Sequence, residues 1–322
     1  MRKVLLLGTG AFIIALFALT HWLSAAPGSG IGEPRAQIEI DVSGARKPAV
    51  ARTNSALPSL DLVQRLKVGD PRLTPLVDSS LPVSQRISPD ITAKIPSVSN
   101  AEDCKILAMV LTNPLDDDTV RNEISNLLRR SKYPGLTDAL FQVLAHPSEK
   151  PRFRSFAVQH LWQQWDGADD DARGDIESRL RALIEDRHAE VRREALLALV
   201  RMKDPLGRET AVRWLATNGP ELDGVRDLAI RCVYDLNLRE HLPLIRNHVR
   251  NPNETIRIAA IVALSYWKDE ESRSAFEEAA ESSVVRLQRA GKAAMNRLDG
   301  KWGDLESKSG EEAFPQSTPH RE

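Results

Sequence analysis

The chain has 322 residues, with 44 Lys and Arg against 45 Asp and Glu and a formal net charge of −1. That balance argues against a general nucleic-acid binder, which carries a basic surface. Aromatic side chains are only 5% of the chain, and none falls between residues 23 and 132. Aromatics supply much of the area buried in a core, so the composition argues against one globule built from the whole chain.

The chain opens Met1, Arg2, Lys3 and then runs apolar from Val4 to Leu23, with no charged residue before Glu33. About 20 helical residues span about 30 Å, the thickness of a bilayer's hydrocarbon core. A basic start orients such a run with its N-terminus in the cytoplasm. Residues 1–26 therefore read as either a cleaved signal peptide or an uncleaved transmembrane anchor. Ser24, Ala25, Ala26 and Gly28 are small residues near a cut site, and Pro27 hinders cleavage there. Both readings place the rest of the chain outside the cytoplasm, membrane-anchored in one case and secreted or periplasmic in the other. No Cys follows the run, so a lipoprotein anchor is excluded.

Residues 27–100 are rich in Pro, Gly and Ser and contain no aromatic. Such composition does not bury enough apolar surface to offset ordering entropy, and it predicts a disordered linker. Within it, residues 57–71 hold Leu60, Leu62, Val63 and Leu66, which reads as a transient turn or as a short docking motif. Residues 301–322 are polar and read as a flexible tail.

Residues 101–300 repeat. Arg121, Arg154, Arg192, Arg226 and Arg257 are spaced by 33, 38, 34 and 31 residues, and Gln288 stands 31 further on. One before each anchor come Val120, Phe153, Val191, Val225, Ile256 and Leu287. Three after come Ile124, Ala157, Ala195, Ala229, Ala260 and Gly291. Seven after come Leu128, Leu161, Leu199, Val233, Leu264 and Met295. Offsets of −1, +3 and +7 share one helix face. A second amphipathic helix follows each anchored one, at about 136–145, 171–185, 205–216, 239–250 and 270–281. Residues 102–112 read as a capping half-repeat and 283–298 as a closing helix.

Paired helices on this period, opening in D/N-P-x-x-x-V/I-R-x-x-A-x-x-A-L, resemble HEAT repeats. They are most similar to the short type found in phycobilisome-lyase-like proteins. The best matches are 186–199 and 251–264, and the resemblance covers about 200 residues. It implies an all-α fold: an α-solenoid of about five helix-pair repeats with capping helices. It also implies a structural ladder between repeats, with Asp186, Arg192, Asn251 and Arg257 as members. The regular Arg column could alternatively form an anion-binding row.

Catalytic and metal patterns are sparse. Cys104 and Cys232 lie more than three repeats apart, too far for a disulfide given helix spacings of about 8–10 Å. His160 falls in a small-residue core column. No zinc spacing, G-x-S-x-G, Walker A or G-x-G-x-x-G occurs. Some HEAT enzymes bind iron through His-Glu dipeptides, and none is present. The runs Asp116–Asp118 and Asp169–Asp171 read as solvated helix starts. No cofactor and no metal are expected.

Trp162 and Tyr234 lie eight residues after their anchors and Tyr266 nine after, with Trp165 and Trp267 close by. These aromatics either pack between helices or line one edge of a groove, with Arg193, Arg201, Arg231 and Asp235 as its polar rim. The pattern predicts a non-enzymatic protein-interaction scaffold. Its partners would be proteins, and the membrane if the first segment is uncleaved, with no nucleic acid. The alternatives are a structural spacer of the envelope and, less favoured, a HEAT-fold enzyme such as a lyase.

Overall fold

The structure, a computed structural model, describes residues 67–88 and 95–301. All of them fall within one unit, 56–322. The described residues contain helices and no strand. In chain order these are α1 (Thr74–Val77), α2 (Val83–Arg86), α3 (Ala101–Leu111), α4 (Asp118–Arg130), α5 (Leu136–Ala145), α6 (Pro151–Trp165) and α7 (Asp170–Ala182). Then follow α8 (Ala189–Arg201), α9 (Pro205–Ala216), α10 (Arg226–Asp235), α11 (Leu242–Arg246), α12 (Glu254–Tyr266), α13 (Arg273–Ala280) and α14 (Val285–Leu298). The anchored helices α4, α6, α8, α10, α12 and α14 pack each against the next, and α5, α7, α9, α11 and α13 pack behind them. This is an α-solenoid.

Local chemistry sets the repeat. Asp117 and Asn253 cap α4 and α12 by accepting from the backbone N–H groups two and three residues on. Four anchored helices end in the same Schellman motif. Lys132, Lys203, Asn237 and Lys268 take φ between 52° and 59°, each eleven residues after its anchor. The next backbone N–H in each copy reaches back to Leu128, Leu199, Val233 or Leu264 at 2.9–3.0 Å. This bends the chain so that the second helix returns across the first.

The arginine column is committed to contacts within the stack, with Arg121 and Arg226 buried and Arg154, Arg192 and Arg257 half-buried. The Arg121 side chain is 0% exposed, lies 3.6 Å from the Phe153 ring centroid and donates to both Glu149 oxygens at 2.9 and 2.5 Å. It also donates to the Leu111 carbonyl at 2.9 Å, at the end of α3. Arg154 repeats the device with the Leu144 carbonyl and Asp186. The Asp186 carboxylate therefore meets Arg154 of the preceding repeat, while Arg192 donates to the Asp186 and Glu221 carbonyls, both at 2.9 Å. Asn251 accepts from the Asn253 N–H at 2.8 Å, and Arg257 pairs with Glu278 at 2.8 Å. Asn251 and Arg257 are thus not partners. Asp186 stands six residues before its own arginine, as the resemblance implies, but pairs with the preceding one, and Glu149 does the same from five residues before Arg154.

Two expectations are corrected. Residues 67–88 and 95–100 belong to the folded stack and not to a disordered linker. Leu73, Leu76, Val77, Ile95 and Val98 are buried in the core. Arg86 donates to the Leu76 carbonyl, ten residues back, as Arg121 and Arg154 do to theirs. It also pairs with Asp116, so Asp116 is a buried partner and not a solvated helix start. The repeat column begins 35 residues before Arg121. Residues 27–66, including most of the 57–71 motif, and 89–94 lie outside the described residues.

The second correction concerns location. The sequence predicts a protein outside the cytoplasm, membrane-anchored or, with the signal cleaved, secreted or periplasmic, but no helix among the described residues is long and apolar enough to cross a membrane. The 15-residue α6 includes Arg152 and Arg154 and would reach only about 22 Å. Residues 1–26, on which that expectation rested, lie outside the described residues, as do 302–322.

Candidate functional site

The side-by-side anchored helices leave one face uncovered by the second layer. On it the column eight and nine residues after each anchor forms an edge. Trp162 is half-buried, and the Arg201 guanidinium lies 4.7 Å from its ring centroid. Tyr234 stands 5.7 Å from Tyr266 and 5.6 Å from Trp267, centroid to centroid. Tyr266 is 47% exposed, whereas Trp267 is 8% exposed and backs the two tyrosines as core. Trp165 points elsewhere: its Nε1 donates to Glu177 on α7 at 3.0 Å, under Arg173. Offset +10 turns Trp267 about 200° from the +8 position, at 100° per residue; Trp165, at +11, is only about 60° from it and is drawn away by its bond to Glu177.

The arginines divide in the same way. Arg193 is committed to Asp227, at 2.5 and 3.0 Å, and to the Gly224 carbonyl. It is a tie between α8 and α10. Arg231 faces Asp235 at 3.5 Å. Arg201 sits on Trp162, with Glu194 and Arg231 as its charged neighbours. Burial, with Arg231 adding to it, pulls the Arg201 guanidinium below its usual range, and Glu194 opposes this only in part. Burial likewise raises the Glu194 and Asp235 carboxyls. The Tyr234 hydroxyl is raised by burial and by Tyr266.

Two edge residues escaped the sequence reading. Arg297 lies 4.1 Å from the Tyr266 ring centroid and donates to the Tyr266 hydroxyl at 3.3 Å and the Ser265 hydroxyl at 3.0 Å. Arg129 occupies the first copy of the same column. Reading offsets +8 and +9 through all six copies, including the one that lacks an anchor arginine, would have found both.

Three further side chains with reactive groups, His160, Cys104 and Cys232, are buried in the core. His160 is buried with Nε2 2.9 Å from Asn122 Oδ1, and burial, with Arg129 nearby, lowers its pKa to about 4. Cys104 and Cys232 are buried free thiols, the latter pushed up to about 12 by burial. Among the described residues no group of three or more His, Cys, Asp and Glu could hold a metal ion.

No family model matches the chain, and no curated protein does. Among solved structures it is similar to importin beta, at 18% identity over 64% of this chain, with a TM-score of 0.43. It spans only 30% of that protein's length. It is also similar to a designed armadillo repeat protein in complex with the peptide (KR)4, at 16% identity over 70% of this chain and 98% of that one, TM-score 0.38. A third is human deoxyhypusine hydroxylase, at 16% identity over 71% of this chain and 95% of that one, TM-score 0.33.

Proposed function

We infer that this protein is a non-enzymatic scaffold that binds a protein partner along the uncovered face of its anchored helices. The observation that carries the reading is the edge of Trp162, Tyr234 and Tyr266. It puts large amphipathic rings at the same end of three of the six copies, with Tyr266 47% exposed. Aromatic and arginine side chains dominate binding hot spots because they bury much area and still offer polar contacts. A solenoid multiplies such contacts along an extended surface.

The reading is tested by selecting a random displayed peptide library on the full chain. Enriched peptides should lose affinity on Trp162→Ala and Tyr266→Ala and keep it on Arg208→Gln, on the opposite layer. Circular dichroism checks that each variant folds. No enrichment, or enrichment indifferent to the edge substitutions, would remove the reading.

A further inference from the structure

The edge differs in charge from the chain that carries it. At offsets +8 and +9 in the six copies stand four arginines, Arg129, Arg130, Arg201 and Arg297, against one carboxylate, Asp235. Residues 101–300 as a whole hold 30 basic and 33 acidic side chains, a net of −3. Helix C-termini favour cations, which explains why arginines are stable there. Arg129 reaches Asn126 at 3.5 Å, and Arg297 is bonded to the Ser265 and Tyr266 hydroxyls.

Arg130 is answered by Glu123 at 3.3 Å, and Asp235 already faces Arg231. Arg201 is different. Its guanidinium lies 4.7 Å from the Trp162 ring centroid, and among the described residues it has no ion pair and no hydrogen-bond acceptor. Glu194, the nearest acid along the helix, is half-buried and acts on Arg201 without pairing with it. A guanidinium stacked on an indole presents a rigid planar fork of donors, and a carboxylate matches it bidentately. Holding that fork in place before binding lowers the ordering cost of the complex.

We propose that the edge takes an extended acidic segment of a partner protein, with one Asp or Glu side chain seated on Arg201. This rests on the scaffold reading above and adds the chemistry of its ligand. Neighbouring helices are about 10 Å apart. Arg129 therefore lies about 20 Å from Arg201, and Arg297 about 30 Å on the other side. At about 3.3 Å per extended residue, further acidic groups fall about six residues to one side of the seated carboxylate and about nine to the other. The aromatic rings between them take apolar side chains. A nucleic acid fits less well, because its charges recur every few ångströms whereas the cations here gather at Arg129 and Arg130, at Arg201 and Arg231, and at Arg297, with about 20–30 Å between these groups.

The test reads the peptides selected on the full chain. Enriched sequences should be acidic, and added salt should weaken them. Arg201→Gln should reduce their affinity at least about tenfold, the loss expected for hydrogen bonds to a charged group, with an unchanged melting temperature. Neutral or basic peptides that still depend on Trp162 would overturn the acidic assignment and leave the scaffold reading standing. No enrichment at all would remove both. A single-stranded oligonucleotide that displaces the peptides at equal affinity would overturn the choice of a protein ligand. Self-association abolished by Arg201→Gln would assign the edge to a second copy of this chain and overturn it too.

Discussion

Arg86 and Asp116, thirty residues apart, form a bidentate ion pair at 2.5 and 3.0 Å, with side chains 3% and 1% exposed. This pair joins the Pro-rich segment before residue 88 to the loop ahead of α4, and it makes that segment the first layer of the stack. Removing one partner strands the other in a dry site. Asp116→Ala should cost about 3–5 kcal/mol, as for other broken buried pairs. Melting of the full chain, with limited proteolysis at residues 67–88, measures it. An unchanged melting temperature and cleavage pattern would mean that the pair does not hold the segment.

The small-residue column predicts overpacking. A Cβ added at Gly291 would stand 2.3 Å from the Ala280 backbone nitrogen and 2.7 Å from the Phe276 carbonyl oxygen. Neither atom moves without moving α13. Gly291→Ala should therefore destabilise by about 1–3 kcal/mol, although Ala is the better helix former. Denaturant titration decides it, and a stabilised variant would show that α13 and α14 are farther apart.

The Schellman positions predict the opposite sign. Lys203 holds a φ of 59°, where a Cβ is strained. Lys203→Gly relieves this and gives back part through unfolded-state entropy. A net gain of about 0.5–1 kcal/mol is expected in chemical denaturation. A loss would place Lys203 outside the left-handed region.

His160 gives a pH signature. Its folded pKa, lowered to about 4 by burial with Arg129 adding to it, lies below the ordinary value of 6.5. The unfolded chain therefore binds more protons between those values, and stability falls as pH drops through that window. The loss approaches about 3 kcal/mol near pH 4, at 1.36 kcal/mol per unit. His160→Gln keeps a polar partner for Asn122 and should flatten the wild-type slope between pH 6.5 and 4. Parallel slopes in the two proteins would show that His160 charges freely in the fold.

How much the sequence disclosed follows from where the stabilising contacts lie. The anchored helices were legible because offsets −1, +3 and +7 point to one buried side: Val120, Phe153, Val191 and Ile256 are fully enclosed. The segment 67–88 was not, since its prolines look like linker residues. Pro71 and Pro75 instead start short helices, and its key contact joins residues thirty apart. The candidate edge was half legible. Trp162, Tyr234 and Tyr266 were singled out by spacing, but one residue of offset turned Trp267 inward and a bond to Glu177 drew Trp165 away. Arg193 looked like a rim residue and proved to be a tie between helices, because its partner Asp227 sits 34 residues away.

The central claim, that the aromatic edge is where a partner binds, is tested most directly by site-specific photocrosslinking in cells. A benzoylphenylalanine replacing Tyr266 in the full chain should capture a defined protein that the same probe at Leu115, 72% exposed and away from the edge, does not. That protein should bind the purified chain and lose affinity on Trp162→Ala. Equal capture at both positions, or binding indifferent to Trp162, would contradict the account.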